Sequence, residues 1–337
     1  MNESNTAESS EECVDIAIIG AGPTGLFGAF YAGMRGMSVK LLDSLDILGG
    51  QLMTLYPEKF VYDVAGFPKV MAKDLAHQLI DQAMQYSPKV HLGQQIMTLT
   101  EIDGGAMWRL GTATGSHLAR TVLISAGVGA FQHKTLPLSN AKDYHGKGLH
   151  YFVKELSTFS QKRVLIVGGG DSAVDWANML APIAGDITLI HRRDQFRAHE
   201  DSVKKMRATP VKIRTFHELK SIHGEGQIAA AVIYDNRSNA EERIEIDAIL
   251  VNIGFSSSLG PIKDWGLTIE KGQIAVNSTM QTNRRGVFAA GDIATFPGKL
   301  KLIATGFGEA CTAVCYAKHA IDPAAKVFPG HSSEMSH

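Results

Sequence analysis

The sequence predicts an α/β protein built from two three-layer (β/β/α) domains, the second inserted into the first. Two observations carry this. A strand, a glycine-rich turn, a helix and a second strand run from Val14 to Asp43, and the same grammar returns from Arg163 to His191. After the second copy, Gly286–Ala294 (GVFAAGDIA) reads as a strand closing on Gly-Asp, the returning edge of the first domain. The expected division is a disordered acidic tail at 1–12, a first domain at 13–128 with 255–337, and a second at 129–254.

Taken in order, Val14–Ile19 (VDIAII) is a short, almost wholly apolar run, as a parallel strand buried on both faces requires. Gly20–Gly25 (GAGPTG) is the turn, Leu26–Arg35 the helix and Ser38–Asp43 the next strand. In the second copy Arg163–Val167 is the strand, Gly168–Ala173 (GGGDSA) the turn, Val174–Leu180 the helix and Asp186–His191 the following strand. The remaining β-rich pieces are His91–Ile102, Trp108–Gly111, Thr121–Ala126, Ile228–Tyr234, Ile244–Val251 and Gln273–Val276. A last helix is expected near Gly308–Ile321.

Composition narrows the function classes. The chain has 337 residues, 45% hydrophobic and 20% charged, with a formal net charge of -1. That balance suits a soluble globular protein and gives no global attraction to nucleic acid or membrane. No apolar run approaches the roughly 20 residues of a membrane span. Three cysteines, Cys13, Cys311 and Cys315, are too few and odd in number for a disulfide framework, so a cytoplasmic setting is expected. No metal-ligand spacing stands out, and no metal is expected.

The turns carry the chemistry. Gly20, Gly22 and Gly25 form G-x-G-x-x-G. The first allows a tight turn, the second lets the backbone approach a pyrophosphate, and the third lets helix and strand pack closely. Pro23 suits the first helical position. The helix start presents free N–H donors and a positive dipole end to the phosphates. Asp43, at the end of the next strand, is placed to accept ribose hydroxyls. In the second turn Gly168, Gly170 and Ala173 form G-x-G-x-x-A, with Asp171 and Ser172 opening the helix. The strand that should end in an acid ends instead in His191-Arg192-Arg193, with Arg197 nearby. A carboxylate would repel a ribose 2′-phosphate, whereas guanidiniums bind it. Both domains are thus Rossmann-like, the first suited to FAD and the second to NADP(H).

At this point the residues resemble a known family. GAGPTG, GGQ (49–51), GGGDSAVDWA (168–177), HRRDQFRAHE (191–200) and FAAGD (288–292) are similar to the thioredoxin-reductase branch of the two-dinucleotide-domain flavoproteins. LYPEKFVYDVAGFPK (55–69), LHYFVKEL (149–156), SSLGPIKDWGL (257–267) and KLKLIATGFGEACTAV (299–314) resemble, more narrowly, the thioredoxin-reductase-like ferredoxin–NADP⁺ reductases. The likeness runs from about Cys13 to Ser333. One departure separates the branches. Thioredoxin reductases carry a redox C-x-x-C shortly before the second turn, and Gly148–Ser160 contains no cysteine.

The resemblance implies residue roles. It puts Thr24, Asp43 and Gln51 on FAD, stacks Tyr56 against one face of the flavin ring, and brings the backbone at Ile96 and Phe131 around the adenine and ribityl regions. Asp292 would bond the ribityl chain or a phosphate. His331, Ser332 and Ser333 would cover the other flavin face, supplied by the partner subunit of a homodimer. The implied activity is hydride exchange between NADP(H) and FAD with single-electron transfer to or from ferredoxin. Lys59, Lys69, Lys299 and Lys301 are candidate docking charges for an acidic carrier. Flavodoxin, a quinone or another redox protein is an alternative acceptor. A non-catalytic flavin redox sensor is an alternative of another class, disfavoured because a sensor has no need of an NADP pocket.

Overall fold

A computed structural model describes residues 12–127 and 130–330. The acidic tail up to residue 11, and His331, Ser332 and Ser333, lie outside the described residues. By contacts the chain forms two compact units. The first comprises the described residues within Met1–Thr54, Lys59–Ala130 and Ser257–His337. The second comprises Leu55–Glu58 and Phe131–Ser256. The chain therefore crosses between units near residues 130 and 256. The short segment Leu55–Glu58, which sequence alone assigns to the first domain, groups with the second.

The first unit is built on β1 (Cys13–Ile19), α1 (Pro23–Met34), β2 (Val39–Leu42), α2 (Ala72–Met84), β3 (Lys89–His91), β4 (Thr98–Ile102), β5 (Met107–Gly111) and β6 (Ser116–Ile124). The strand order is β3-β2-β1-β6-β5-β4, and a strand from much later in the chain, Val287–Ala289, pairs with β6. β3, β2, β1, β6 and Val287–Ala289 run parallel, while β4–β5–β6 is an antiparallel meander. β6 belongs to both systems, because its nine residues are long enough to leave the meander and enter the parallel sheet. One face of the sheet packs on the meander through Ala17, Ile19, Val122 and Ile124 against Leu99, Trp108 and Leu110. The other face packs on helices. A Cβ built on Gly28 of α1 would touch Leu123, Ile18 and Ala310, so glycine here lets α1 lie close to the strands.

The second unit repeats this plan with β7 (Arg163–Gly168), α3 (Asp171–Leu180), β8 (Asp186–His191), α4 (Glu200–Arg207), β9 (Lys212–Thr215), β10 (His217–His223), β11 (Ala230–Asp235), β12 (Glu241–Glu245) and β13 (Ala248–Asn252). A parallel sheet runs in the order Leu149–His150, β13, β7, β8, β9, and β10–β11–β12 is antiparallel. Strand alternation separates its two cores. Leu165 and Val167 join Ile190, Ile249 and Val251 against Ile222 and Ile233 of the meander. Val164 and Ile166 join Leu189 and Leu250 against Val174, Ala177, Leu180 and Met206 of the helices. The central runs Val164–Val167 of β7 and Ala248–Val251 of β13 are apolar throughout because each face has its own partner layer.

The chain returns to the first unit for β14 (Val287–Ala289) and α5 (Ile303–Ile321). α5 starts earlier than Gly308. Thr305 accepts from the Leu302 N–H, and the Asp63 carboxylate accepts from the Ile303 N–H at 2.8 Å, so a residue distant in sequence caps the first turn. No described helix is long and apolar enough to cross a membrane. Leu165 has no solvent exposure, and its replacement by Ala should cost about 2–5 kcal/mol of the second unit's stability. Urea unfolding checks this, and a loss below about 1 kcal/mol would contradict the two-sided packing of β7.

Candidate functional site: two glycine-rich turns

At the first turn the backbone is packed too tightly for side chains. Gly20 has φ +105°, and a Cβ there would stand 2.5 Å from the Ser125 carbonyl oxygen. A Cβ on Gly25 would stand 1.8 Å from the Gly20 oxygen. The Ser125 hydroxyl donates to the Gly20 carbonyl at 2.9 Å and locks this approach. Gly22 differs: a Cβ there would meet nothing within 4 Å. That open space is where a bound phosphate needs the backbone bare. α1 begins at once, with Pro23 in its first turn and no side-chain cap. Its leading N–H groups are therefore left for a ligand.

Asp43 is 9% exposed. Its Oδ2 accepts from the Ala21 N–H at 2.6 Å and its Oδ1 from the Leu45 N–H at 2.9 Å. Burial pushes its pKa up, opposed by these backbone donors. The acid thus ties β2 to the turn, and each oxygen keeps a lone pair for a hydroxyl. Beside it the His91 carbonyl accepts from the Asp43 N–H, and His91 Nε2 is buried without a partner. Burial, then Lys40 and Lys89, hold the His91 ring below its usual pKa.

Of the other predicted residues, Thr24 and the Gly50–Gln51 pair lie at or beside this turn. Cβ atoms built on Gly291 and Gly306 would meet Thr24 Oγ1 at 2.8 and 2.4 Å. A Cβ on Gly50 would come within 2.8 Å of Gly22 Cα, and Gln51 Nε2 lies 3.1 Å from the Cβ position of Gly127. The Asp292 carbonyl accepts from Gln273 Nε2 at 2.7 Å. Ile96 is buried in the core, and Phe131 lies in the short strand Ala130–His133. Tyr56 is not grouped with these residues. It packs against the helix-side core of the second unit.

The second turn is built alike. A Cβ on Gly168 would stand 2.3 Å from the Asn252 oxygen, and one on Gly169 would strike the His191 ring at 2.2 Å. Ala173 is fully buried beneath Gly168. α3 begins at Asp171 without a side-chain cap, and Ser172 follows in its first turn. The 191–199 loop closes back onto this turn. The Arg197 N–H donates to the Gly169 carbonyl at 2.7 Å, and the His199 N–H donates to Asp171 at 3.0 Å. His191 is stacked on Phe196 at 5.3 Å and reaches the Gln195 carbonyl. Burial lowers its pKa against the opposing bond to the Gln195 carbonyl, and the neighbouring arginines add to the lowering. Arg192, Arg193 and Arg197 are exposed, and none of them forms an ion pair among the described residues.

Three features are not legible from motifs. Asn252, at the end of β13, has a buried Nδ2 without a partner beside Gly168. Ser125 is a lock that only packing reveals. Lys299, expected as a docking charge, is instead 6% exposed and paired with Glu309, whereas Lys69 and Lys301 are exposed. Among the described residues all three cysteines are free, and no cluster of metal ligands occurs. Burial, with Cys315 close by, pushes the Cys311 thiol up to about 11, which leaves it protonated at neutral pH.

The family model for pyridine nucleotide-disulphide oxidoreductases matches residues 14–313, spanning both turns. The chain belongs to that family. It is 53% identical to a ferredoxin--NADP reductase of Halalkalibacterium halodurans over 96% of this chain and 98% of that one. It is 52% identical to ferredoxin--NADP reductase 2 of Bacillus subtilis over 95% and 96%. Among solved structures it is similar to T. acidophilum thioredoxin reductase, with a TM-score of 0.77 and 27% identity over 92% of this chain and 98% of that one. The Lactococcus lactis thioredoxin reductase has the same TM-score at 23% identity, over 91% and 99%, and shares the fold.

The open space at Gly22 generates a prediction. Gly22→Ala should fold with little change in thermal stability, since its Cβ meets no protein atom, yet retain at least roughly tenfold less FAD. Absorbance of the purified protein with and without added FAD checks both. Full FAD retention would show that the bare backbone is not a phosphate cradle.

Proposed function

We propose that this member of the family is a ferredoxin–NADP⁺ reductase, holding FAD at the first turn and NADP(H) at the second. The observation that carries the nucleotide assignment is the contrast at the two strand ends. Buried Asp43 presents acceptors to a bare ribose, and exposed Arg192, Arg193 and Arg197, which form no ion pair among the described residues, present guanidiniums where an acid would otherwise stand. The names of the close relatives support ferredoxin as the partner. The absence of cysteine from Gly148–Ser160 and the protonated Cys311 argue against disulfide exchange.

FAD, when bound, supplies the exchange between two-electron hydride chemistry and single-electron transfer. The protein supplies placement. The starts of α1 and α3 neutralise the two pyrophosphates, and Asp43 and the arginines fix which ribose enters which site. Thr24, Gln51 and Asp292 flank the route of the FAD chain. Tyr56 and the His331–Ser333 segment cover the flavin faces, the segment coming from the partner subunit of a cytoplasmic homodimer. The resemblance carried by 55–69 and the chain end supports these last assignments.

Two experiments test this reading. Anaerobic NADPH should bleach the flavin absorbance rapidly, and catalytic protein should then reduce ferredoxin. Bleaching without ferredoxin reduction would move the assignment to another acceptor, and no bleaching would remove the enzyme. Arg192→Ala with Arg193→Ala should raise the KM for NADPH at least roughly tenfold, given about 1.5–3 kcal/mol for each charged hydrogen bond, and leave that for NADH nearly unchanged. An unaltered preference would show that the basic loop does not select the nucleotide.

A further inference from the structure

The ion pair of Lys299 and Glu309 is unlike every other described pair. Its side chains are only 6% and 8% exposed, and Lys299 Nζ lies 2.5 and 2.6 Å from the two Glu309 oxygens. In each of the other described ion pairs at least one partner is substantially exposed. Burying two charges is costly, and well-packed apolar residues would stabilise the fold at least as well. The pair therefore calls for a role beyond stability.

Its surroundings supply one. Glu309 Oε2 also accepts from the Gly291 N–H at 2.8 Å. One carboxylate thus joins α5, the loop ahead of α5 and the turn after β14. Gly291 and Gly306 are the two glycines that close on Thr24 of the first turn. Sheet order sets the direction. β2, with Asp43 at its end, flanks β1 on one side, and β6 with β14 flanks it on the other. A dinucleotide with its ribose at Asp43 and its pyrophosphate over Gly20–Gly25 sends its other half toward Gly291 and the start of α5.

We propose that Lys299 and Glu309 are positioning residues for the flavin half of FAD. Glu309 holds the Gly291 N–H, and with it the Gly291–Asp292 turn and the start of α5, against Thr24. The pairing also keeps the buried charge beside the flavin balanced. This inference rests on the assignment of FAD to the first turn.

The test compares wild type, Glu309→Gln, Lys299→Gln and the apolar double variant Lys299→Met with Glu309→Leu. The readouts are the rate of FAD loss and the flavin midpoint potential. Removing the carboxylate leaves an uncompensated cation and should raise the potential, because reduction adds negative charge. Removing the ammonium should lower it. Both single variants should lose FAD at least about tenfold faster. A structural role alone would not move the potential in opposite directions. If a single variant fails to fold, the double variant decides. Faster FAD loss from a folded double variant supports positioning, and FAD retention equal to wild type overturns it. Wild-type protein that takes up no FAD would sink the cofactor assignment instead. Wild type that binds FAD, with variants unchanged in both readouts, would sink this inference alone.

Discussion

The tight backbone approach of Gly20, Gly25 and Ser125 is the constraint on which the first unit depends. A helix can begin directly after a buried strand only if the intervening turn carries no side chains. Here Gly20 turns the chain at positive φ, Gly25 lies on the Gly20 carbonyl, and Ser125, just past β6, ties off that carbonyl. This fixes where α1 starts and where its unpaired N–H groups point. It also fixes the place of Asp43, which is hydrogen-bonded to Ala21 inside the same turn. Gly168, under the Asn252 carbonyl, does the same for α3.

With the scaffolds so alike, the difference between the sites is electrostatic and local. At the first, a carboxylate is held in the interior by backbone donors in spite of its desolvation. At the second, three guanidiniums stand in solvent on a loop pinned at Gly169 and Asp171. A buried acid discriminates by geometry, whereas exposed cations discriminate by charge, and the latter weakens as salt rises. The chain's near-zero net charge conceals this contrast, because neither cluster is large enough to move the total.

Both turns and their flanking strands are legible in the sequence, because glycine at fixed spacing and apolar strands have a local cause. What is not legible has a tertiary cause. The start of α5 is obscured by Gly306 and Gly308, which are poor helix residues, and is set by Asp63. α2 buries Leu75, Ala76, Leu79 and Ala83 at helical spacing but lies outside any nucleotide motif. Lys299 reads as a surface charge until Glu309 is brought to it from the facing turn of α5. Leu55–Glu58 groups with the second unit through packing of Tyr56 that no local pattern encodes.

The place of β14 in the sheet bears on how the chain emerges from the ribosome. β14 pairs with β6 from the far side of the inserted unit, so the outer unit lacks a strand of its sheet until residues 287–289 have been made. The inserted unit is complete once residue 256 has emerged, having waited for no distant segment except Leu55–Glu58, which precedes it. Domains fold as units in order of synthesis, and long-range strand pairing is slow. The inserted unit is thus the first to finish, and the outer unit's sheet gains its seventh strand only afterwards.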